Sequence, residues 1–315
     1  MFIFVAYNQQ KQTRMKTHHW VIGCLLMATS ACSSGEEEHV KDQEKPADPI
    51  PITLNCGITA SSRATDYGYE NQDKIGLYVV NYKGNAPGTL QSTGNHVDNI
   101  GFTYNGTWEP DVDIYWKDDK TKADFYCYFP YGTPSDLTSY AFSIKEDQST
   151  EQAYKDSEFL YGKTSGVAPT EKAVVITTNH IFSCAVVTVQ PGNGFTTESL
   201  AKANVSIKIN NIRTGASIDL IKGTATATGI GKTITPLKTG DSYSYKALIV
   251  PQTISADNFI TVYVDGRDFN LKKEITFVGG RRYSIPVTVS KTSYGINVNI
   301  GAWEDDEIDN GGTAE

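Results

Sequence analysis

From Ile52 onward the chain alternates short apolar runs with turn-forming residues, and it sustains no helical period. Runs of about four to eight residues rich in Val, Ile, Tyr, Phe and Thr, set between Gly, Asn, Asp and Pro, have the pattern of β-strands. In the first half they predict strands over 52–58, 74–81, 100–104, 113–116, 122–130, 158–162 and 173–189. A Pro-Gly-Asn-Gly break then occupies 191–194, and a polar helical turn follows around 197–203. Further strands are predicted over 205–209, 217–220, 244–250, 259–264, 274–277, 282–289 and 295–300. Strands this short, with no helices alternating between them, argue against an α/β sheet and for packed β-sheets. The break divides the chain into blocks of ordinary domain size, 52–192 and 193–315, the second ending in a short acidic tail. The expectation is an all-β chain of two tandem β-sandwich domains.

The residues before this region follow a different logic. The stretch 15–32, MKTHHWVIGCLLMATSAC, opens on Lys16, passes through a short apolar core and ends in small residues before Cys32. A charged start, an apolar run too short to span a bilayer and a small-residue cleavage site make a secretory signal peptide. A cysteine directly after the small residues makes it a lipoprotein signal, with cleavage between Ala31 and Cys32 and lipid on the Cys32 thiol. Thr29 stands where such signals usually carry Leu. Residues 1–31 are therefore set apart from the fold, with the true start at Met15. Residues 32–51 are acidic, carry three prolines and offer almost nothing to bury, which describes a solvated tether. The lipid on Cys32 is the expected link to the membrane, because no transmembrane helix follows the signal.

Composition removes several function classes. The formal net charge is −8, from 28 Lys and Arg against 36 Asp and Glu, and no basic run with interleaved aromatics is present, so nucleic acid is not an expected partner. Of the five cysteines, Cys56, Cys127 and Cys184 remain beyond the signal and the lipid site, with no paired spacing suggestive of zinc or of a disulfide framework. Cys127, between Phe125 and Phe129 on one strand face, and Cys184 in an apolar run read as small buried hydrophobes. The TATGIGKT stretch at 226–233 ends like a phosphate-binding loop, but Thr226 stands where that loop needs Gly and no helix follows, so it reads as a Gly/Thr-rich hairpin. His96 falls in a Gly/Asn loop, and His180 reads as a packed residue with one satisfied nitrogen. There is no HExxH or GxSxG motif and no Cys–His pair with a recognisable context. The acids from Glu304 to Glu307 read as solvated rather than as a calcium site. No enzyme, cofactor or metal site is expected.

Arg63 is more informative. It lies in a polar segment, ASSRATDYGYE, between two predicted strands, the kind of exposed linker where proteases cut. The SRATD segment at 62–66, DKIGLYV at 73–79, GTW at 106–108 and DIYWKDDKTKADFYCYFPY at 113–131 continue in order with Asp147-Gln148, SEFLYG at 157–162 and His180 with its apolar sequel. The second half adds ALIVPQT at 247–253, GGRRY at 279–283 and INVNIGAW at 296–303. Together these resemble the fimbrillin family, the pilus subunits and fimbrillin-like lipoproteins of Bacteroidales, and the acids after Cys32 resemble the surface-export signal of lipoproteins from the same order. The resemblance implies transthyretin-like sandwiches and a structural, adhesive role at the cell surface or in a fimbrium, with other fimbrial subunits as partners. It further implies an Arg-specific protease cutting after Arg63. That cut would release the lipid, the tether and the first strand, with Ile52, Leu54, Cys56 and Ile58. The bared edge would then accept a strand from a neighbouring subunit. The closing strand, with Ile296, Val298 and Ile300, is the expected donor. The alternative is a surface-anchored glycan-binding lipoprotein, for which the 18 tyrosines supply stacking faces. Those on strands, such as Tyr126 and Tyr128, read instead as covering a sheet.

Overall fold

Among the described residues every long element is a strand. The structure is a computed structural model that describes residues 48–59, 68–240 and 243–291, with the backbone alone of two short strands near the C-terminus. The first part of the chain contains β1 (Leu54–Ile58), β2 (Lys74–Asn81), β3 (Val97–Tyr104), β4 (Trp108–Pro110), β5 (Ala123–Phe129) and β6 (Tyr140–Ser143). A single helical turn, α1 (Glu151–Lys155), precedes β7 (Leu160–Val167), β8 (Val174–His180) and β9 (Ser183–Pro191). Seven of these strands form one sheet in the order β1-β8-β7-β5-β2-β3-β4. The two ends of the sheet approach one another. Ile52 N donates to Ile114 O (2.8 Å), Trp116 N to Ile50 O (2.9 Å), and the Trp108 indole of β4 to Cys56 O of β1 (2.9 Å). The sheet thus rolls round its own core, which holds Leu77 and Val79 of β2, Phe125 and Cys127 of β5, and Ile176 of β8.

The opposite faces of β2 and β5 are buried too. Tyr78, Val80, Tyr126 and Tyr128 join a second core with Phe159 and Phe182, which is why KIGLYVVN and ADFYCYF read as nearly continuous apolar runs. Tyr128 stacks on Phe159 with centroids 6.0 Å apart, and Phe182 lies 6.2 Å further along.

After α2 (Thr197–Lys202) come β10 (Val205–Asp219), β11 (Thr224–Ile234), β12 (Leu237–Thr239), β13 (Ser244–Ile249), β14 (Gln252–Ile254) and β15 (Asn258–Val264). The remaining strands are β16 (Arg267–Lys272), β17 (Ile275–Phe277), β18 (Arg282–Val289), β19 (Gly301–Ala302) and β20 (Gly312–Ala314). One sheet runs β11-β10-β15-β16 with β6 also on β10; another runs β12-β13-β9-β18-β19 with β20 also on β18. Their apolar faces share one core, Ile209 and Val262 from the first and Val187, Ile249 and Ile285 from the second.

β6 and β9 therefore precede the Pro-Gly-Asn-Gly break in sequence but belong to the sheets of the second half. The run predicted as one strand over 173–189 is two, because Ile181 and Phe182 are both buried and interrupt the alternation where the chain changes sheets. The break at 191–194 ends β9, and Phe195 N donates back to Gly192 O (3.0 Å) ahead of α2.

The strands predicted at 205–209 and 217–220 are parts of one, β10. Ile207 and Ile209 are buried on odd positions, whereas Ile212, Ala216 and Ile218 are buried on even ones. The pairing with β11 shifts register between Ile209 and Ile212, where Asn211 takes a left-handed φ of 62°. One extra residue at a bulge reverses which parity faces the core. The Gly/Thr stretch at 226–233 lies inside the strand β11, with no helix after it. Residues 113–116, predicted as a strand, instead make an isolated bridge from Tyr115 to Pro51, and the strand of that region is β4.

Candidate functional site

β1 is short, and its side chains alternate between the core and the outside. Leu54 and Cys56 are buried, Asn55 and Gly57 are exposed, and Ile58 is half-buried at the far end. Ile52, just before the strand, is buried as well. β1 pairs in parallel with β8, Leu54 opposite Val174 and Cys56 opposite Ile176. Val174 N donates to Thr53 O (2.8 Å) and Thr59 N to Thr178 O (2.9 Å), while the Thr178 hydroxyl donates to Gly57 O (3.1 Å). On the other side lie the 114–116 segment and the Trp108 indole. The segment 50–58 thus fills a slot in which β8 supplies main-chain partners along one wall, the other offers main-chain bonds at Ile50 and Ile52 and the Trp108 indole at Cys56, and the floor is apolar.

Tyr69 closes one end of the slot. Its ring meets Trp108 edge-on at 4.8 Å and Phe129 at 5.8 Å, and its hydroxyl lies 2.8 Å from Thr178 Oγ1. Burial, reinforced by the nearby thiols, pushes the Tyr69 hydroxyl well above the usual phenol range. Cys56 Sγ lies 3.8 Å from this hydroxyl and 3.8 Å from Cys127 Sγ, which reaches it from β5 across the core. The contact with Cys127 lowers the Cys56 thiol pKa despite burial, whereas Cys127 is held well above the usual thiol range by that same contact and by complete burial.

A paired lysine and a histidine–carboxylate contact flank this end. Lys155 Nζ bridges Glu70 (2.7 Å) and Asp73 (2.9 Å), and His180 Nδ1 meets Glu158 Oε2 at 2.9 Å. His96 Nε2 lies 2.7 Å from Tyr115 O in its surface loop. Among the described residues no group of three or more His, Cys, Asp and Glu is placed to hold a metal ion. Trp108 and Trp116, the described tryptophans, are buried, with their indoles donating to Cys56 O and Thr170 O, so neither offers a stacking face.

The slot brings together the predicted residues Ile52, Leu54, Cys56 and Ile58. Cys32, Arg63, Ile296, Val298 and Ile300 lie outside the described residues, as do the acids at 304–307. Tyr69, Trp108 and Thr178 form walls that the strand pattern does not announce, since each is brought to β1 by pairings between distant segments.

The fimbrillin-like family model matches residues 62–303. A protein of Bacteroides uniformis, named as a candidate fimbrium subunit, Fim1C, is 25% identical over 296 residues, covering 89% of this chain and 93% of its own. A candidate cell adhesion protein from the same species has a crystal structure with TM-score 0.60 at 22% identity, over 86% of this chain and 99% of its own. Another from Bacteroides ovatus gives TM-score 0.65 at 16% identity, over 82% and 100%. These likenesses establish a shared β-sandwich fold.

Proposed function

Because this chain belongs to the fimbrillin-like family, we propose that it is a structural, adhesive subunit or anchor of cell-surface fimbriae, exported as a lipoprotein on Cys32 and matured by cleavage after Arg63. The observation that carries this reading is the slot around β1. With its cysteines free, everything before residue 60 is linked covalently to the rest of the chain only through the segment that contains Arg63. A cut there leaves β1 held by hydrogen bonds and packing alone. Its departure would leave Val174 N–H, Trp116 N–H, Ile114 C=O and the Trp108 indole without their partners, above a floor that includes Ile176 and Cys127.

Such an edge is costly to leave bare, and an incoming strand restores both its hydrogen bonds and its packing. Ile296, Val298 and Ile300 repeat the two-residue spacing of Leu54, Cys56 and Ile58, so a strand bearing them presents three apolar side chains to one face. The contact would be head-to-tail and would not close, so its repetition builds a filament. On this reading the role is non-enzymatic, and the partners are other fimbrial subunits, an Arg-specific protease and, through the lipid, the outer membrane.

N-terminal sequencing with lipid analysis of native surface material tests the proposal. The expected product begins at Ala64, lacks lipid and migrates as a ladder, and Arg63→Gln removes all three signatures. A wild-type chain still beginning at lipidated Cys32 overturns maturation and leaves an anchored member of the family.

A further inference from the structure

We propose that Cys56 and Cys127 form a redox-dependent disulfide that fastens β1 inside the first roll. The two thiols are 71 residues apart in sequence and lie on strands that are not hydrogen-bonded neighbours, yet their sulfurs touch at 3.8 Å across the buried interior. A disulfide needs about 2.05 Å between sulfurs. The remaining approach is small for side-chain rotation combined with a slight shift of β1, which lies at the end of the sheet order and is five residues long. Cys184 lies apart, in a separate cluster with Tyr154, Leu237 and Leu248, and provides an internal control.

The chemistry is thiol–disulfide exchange with an external disulfide, either a small-molecule one or that of a thiol oxidoreductase. The contact between the sulfurs and the hydroxyl of Tyr69 favour Cys56 as the first thiolate. Cys56 Sγ attacks one sulfur of the external disulfide, and a thiolate leaves and takes up the proton released from Cys56. Cys127 then loses its proton and attacks Cys56 Sγ, expelling the second external thiol. Two protein thiols are oxidised to one disulfide, and one external disulfide is reduced to two thiols. Oxidation takes place as β1 docks or opens, since neither sulfur is exposed once the strand is seated.

The consequence rests on the reading of β1 as the strand that leaves after cleavage. With the bond formed, a chain cut after Arg63 keeps its first strand, its slot stays filled and the subunit remains tied to its lipid. With the bond reduced, the strand is free to go. The redox state of one cysteine pair would thus decide between an anchored subunit and a polymerising one.

The test is to refold the purified full chain from urea with oxidised glutathione or with a phosphine reductant. Free thiols are alkylated at low pH, and peptides are mapped by mass spectrometry without reduction. The expected result for the oxidised sample is a peptide linking Cys56 to Cys127, absent from the reduced sample, with Cys184 still alkylated. Cys56→Ser and Cys127→Ala each abolish the link, and Cys184→Ser retains it. Alkylation of Cys56 and Cys127 in the oxidised wild type, or separate glutathione adducts on each, overturns the proposal whatever the variants do. Limited digestion with an Arg-specific protease, followed by urea, reads the consequence. The fragment bearing β1 should stay attached until reductant is added, and its loss without reductant overturns the fastening. A chain that reducing gels show to be uncut at Arg63 counts against the maturation step alone, because the linked peptide decides the disulfide independently.

Discussion

Replacing Trp108 by Phe keeps an aromatic ring near Tyr69, now 4.8 Å away, but removes the N–H that meets Cys56 O at 2.9 Å. A buried carbonyl deprived of its donor costs about 1–3 kcal/mol. Trp108→Phe is therefore expected to lower unfolding stability by about that much in urea titrations, and to make β1 easier to displace by a competing peptide. At this scale the sequence was legible wherever a residue's role depends on its strand neighbours. The inward position of Cys127 follows from its alternation with Phe125 and Phe129, and His180 is packed against Glu158. The meeting of Cys56 with Cys127 and the closure of the slot by Tyr69 were not legible. Both depend on the order β1-β8-β7-β5, which places strands side by side without regard to their distance along the chain.

Strands whose side chains keep one phase were read to the residue, as with β2 over Lys74–Asn81 and β18 over Arg282–Val289. β10 was read as two strands because its phase slips at the bulge around Asn211, which looks like a polar gap between apolar runs. Gly231 lies opposite the bulge, where an added Cβ would come within 3.1 Å of Asn211 Cα. Deleting Asn211 is expected to put Ile212, Ala216 and Ile218 on the outward face if the first part of β10 keeps its place. Several buried side chains at about 2–5 kcal/mol each exceed the total stability of an ordinary domain. The deletion variant should therefore lack a cooperative thermal transition by circular dichroism, whereas Asn211→Gly, which tolerates a positive φ, should keep it. The stretch 113–116 alternates as a strand does, yet Tyr115 makes only an isolated bridge to Pro51, because alternation records which residues face the core and not whether a ladder forms.

Across the whole molecule the buried tyrosines make alkaline pH the revealing condition. Burial raises Tyr78 to about 12, and burial likewise pushes Tyr69, Tyr128 and Tyr161 above the usual phenol range. The unfolded chain sheds these protons from about pH 10, whereas the folded chain holds them. The stability they contribute is thus fully present below about pH 10 and declines as pH rises through 10 towards 12. Phenolate absorbance is expected to rise in two stages, exposed tyrosines first and these four only as near-ultraviolet circular dichroism is lost. Because Tyr128, Phe159 and Phe182 continue one core between the rolled sheet and the sheets of the second half, both parts should report the same midpoint.

The parallel seating of β1 also has a mechanical meaning. A strand paired along its length and pulled along its own axis strains its crosswise hydrogen bonds in shear, so they yield together and at high force. The same strand lifted from one end is peeled, breaking its bonds one after another at low force. A subunit drawn from the N-terminal side along β1 would resist as a clamp, while a strand arriving or leaving from one end would exchange as a zipper. In the joint formed by Leu54–Ile58 and Val174–His180, resistance to tension and readiness for replacement are properties of two different directions.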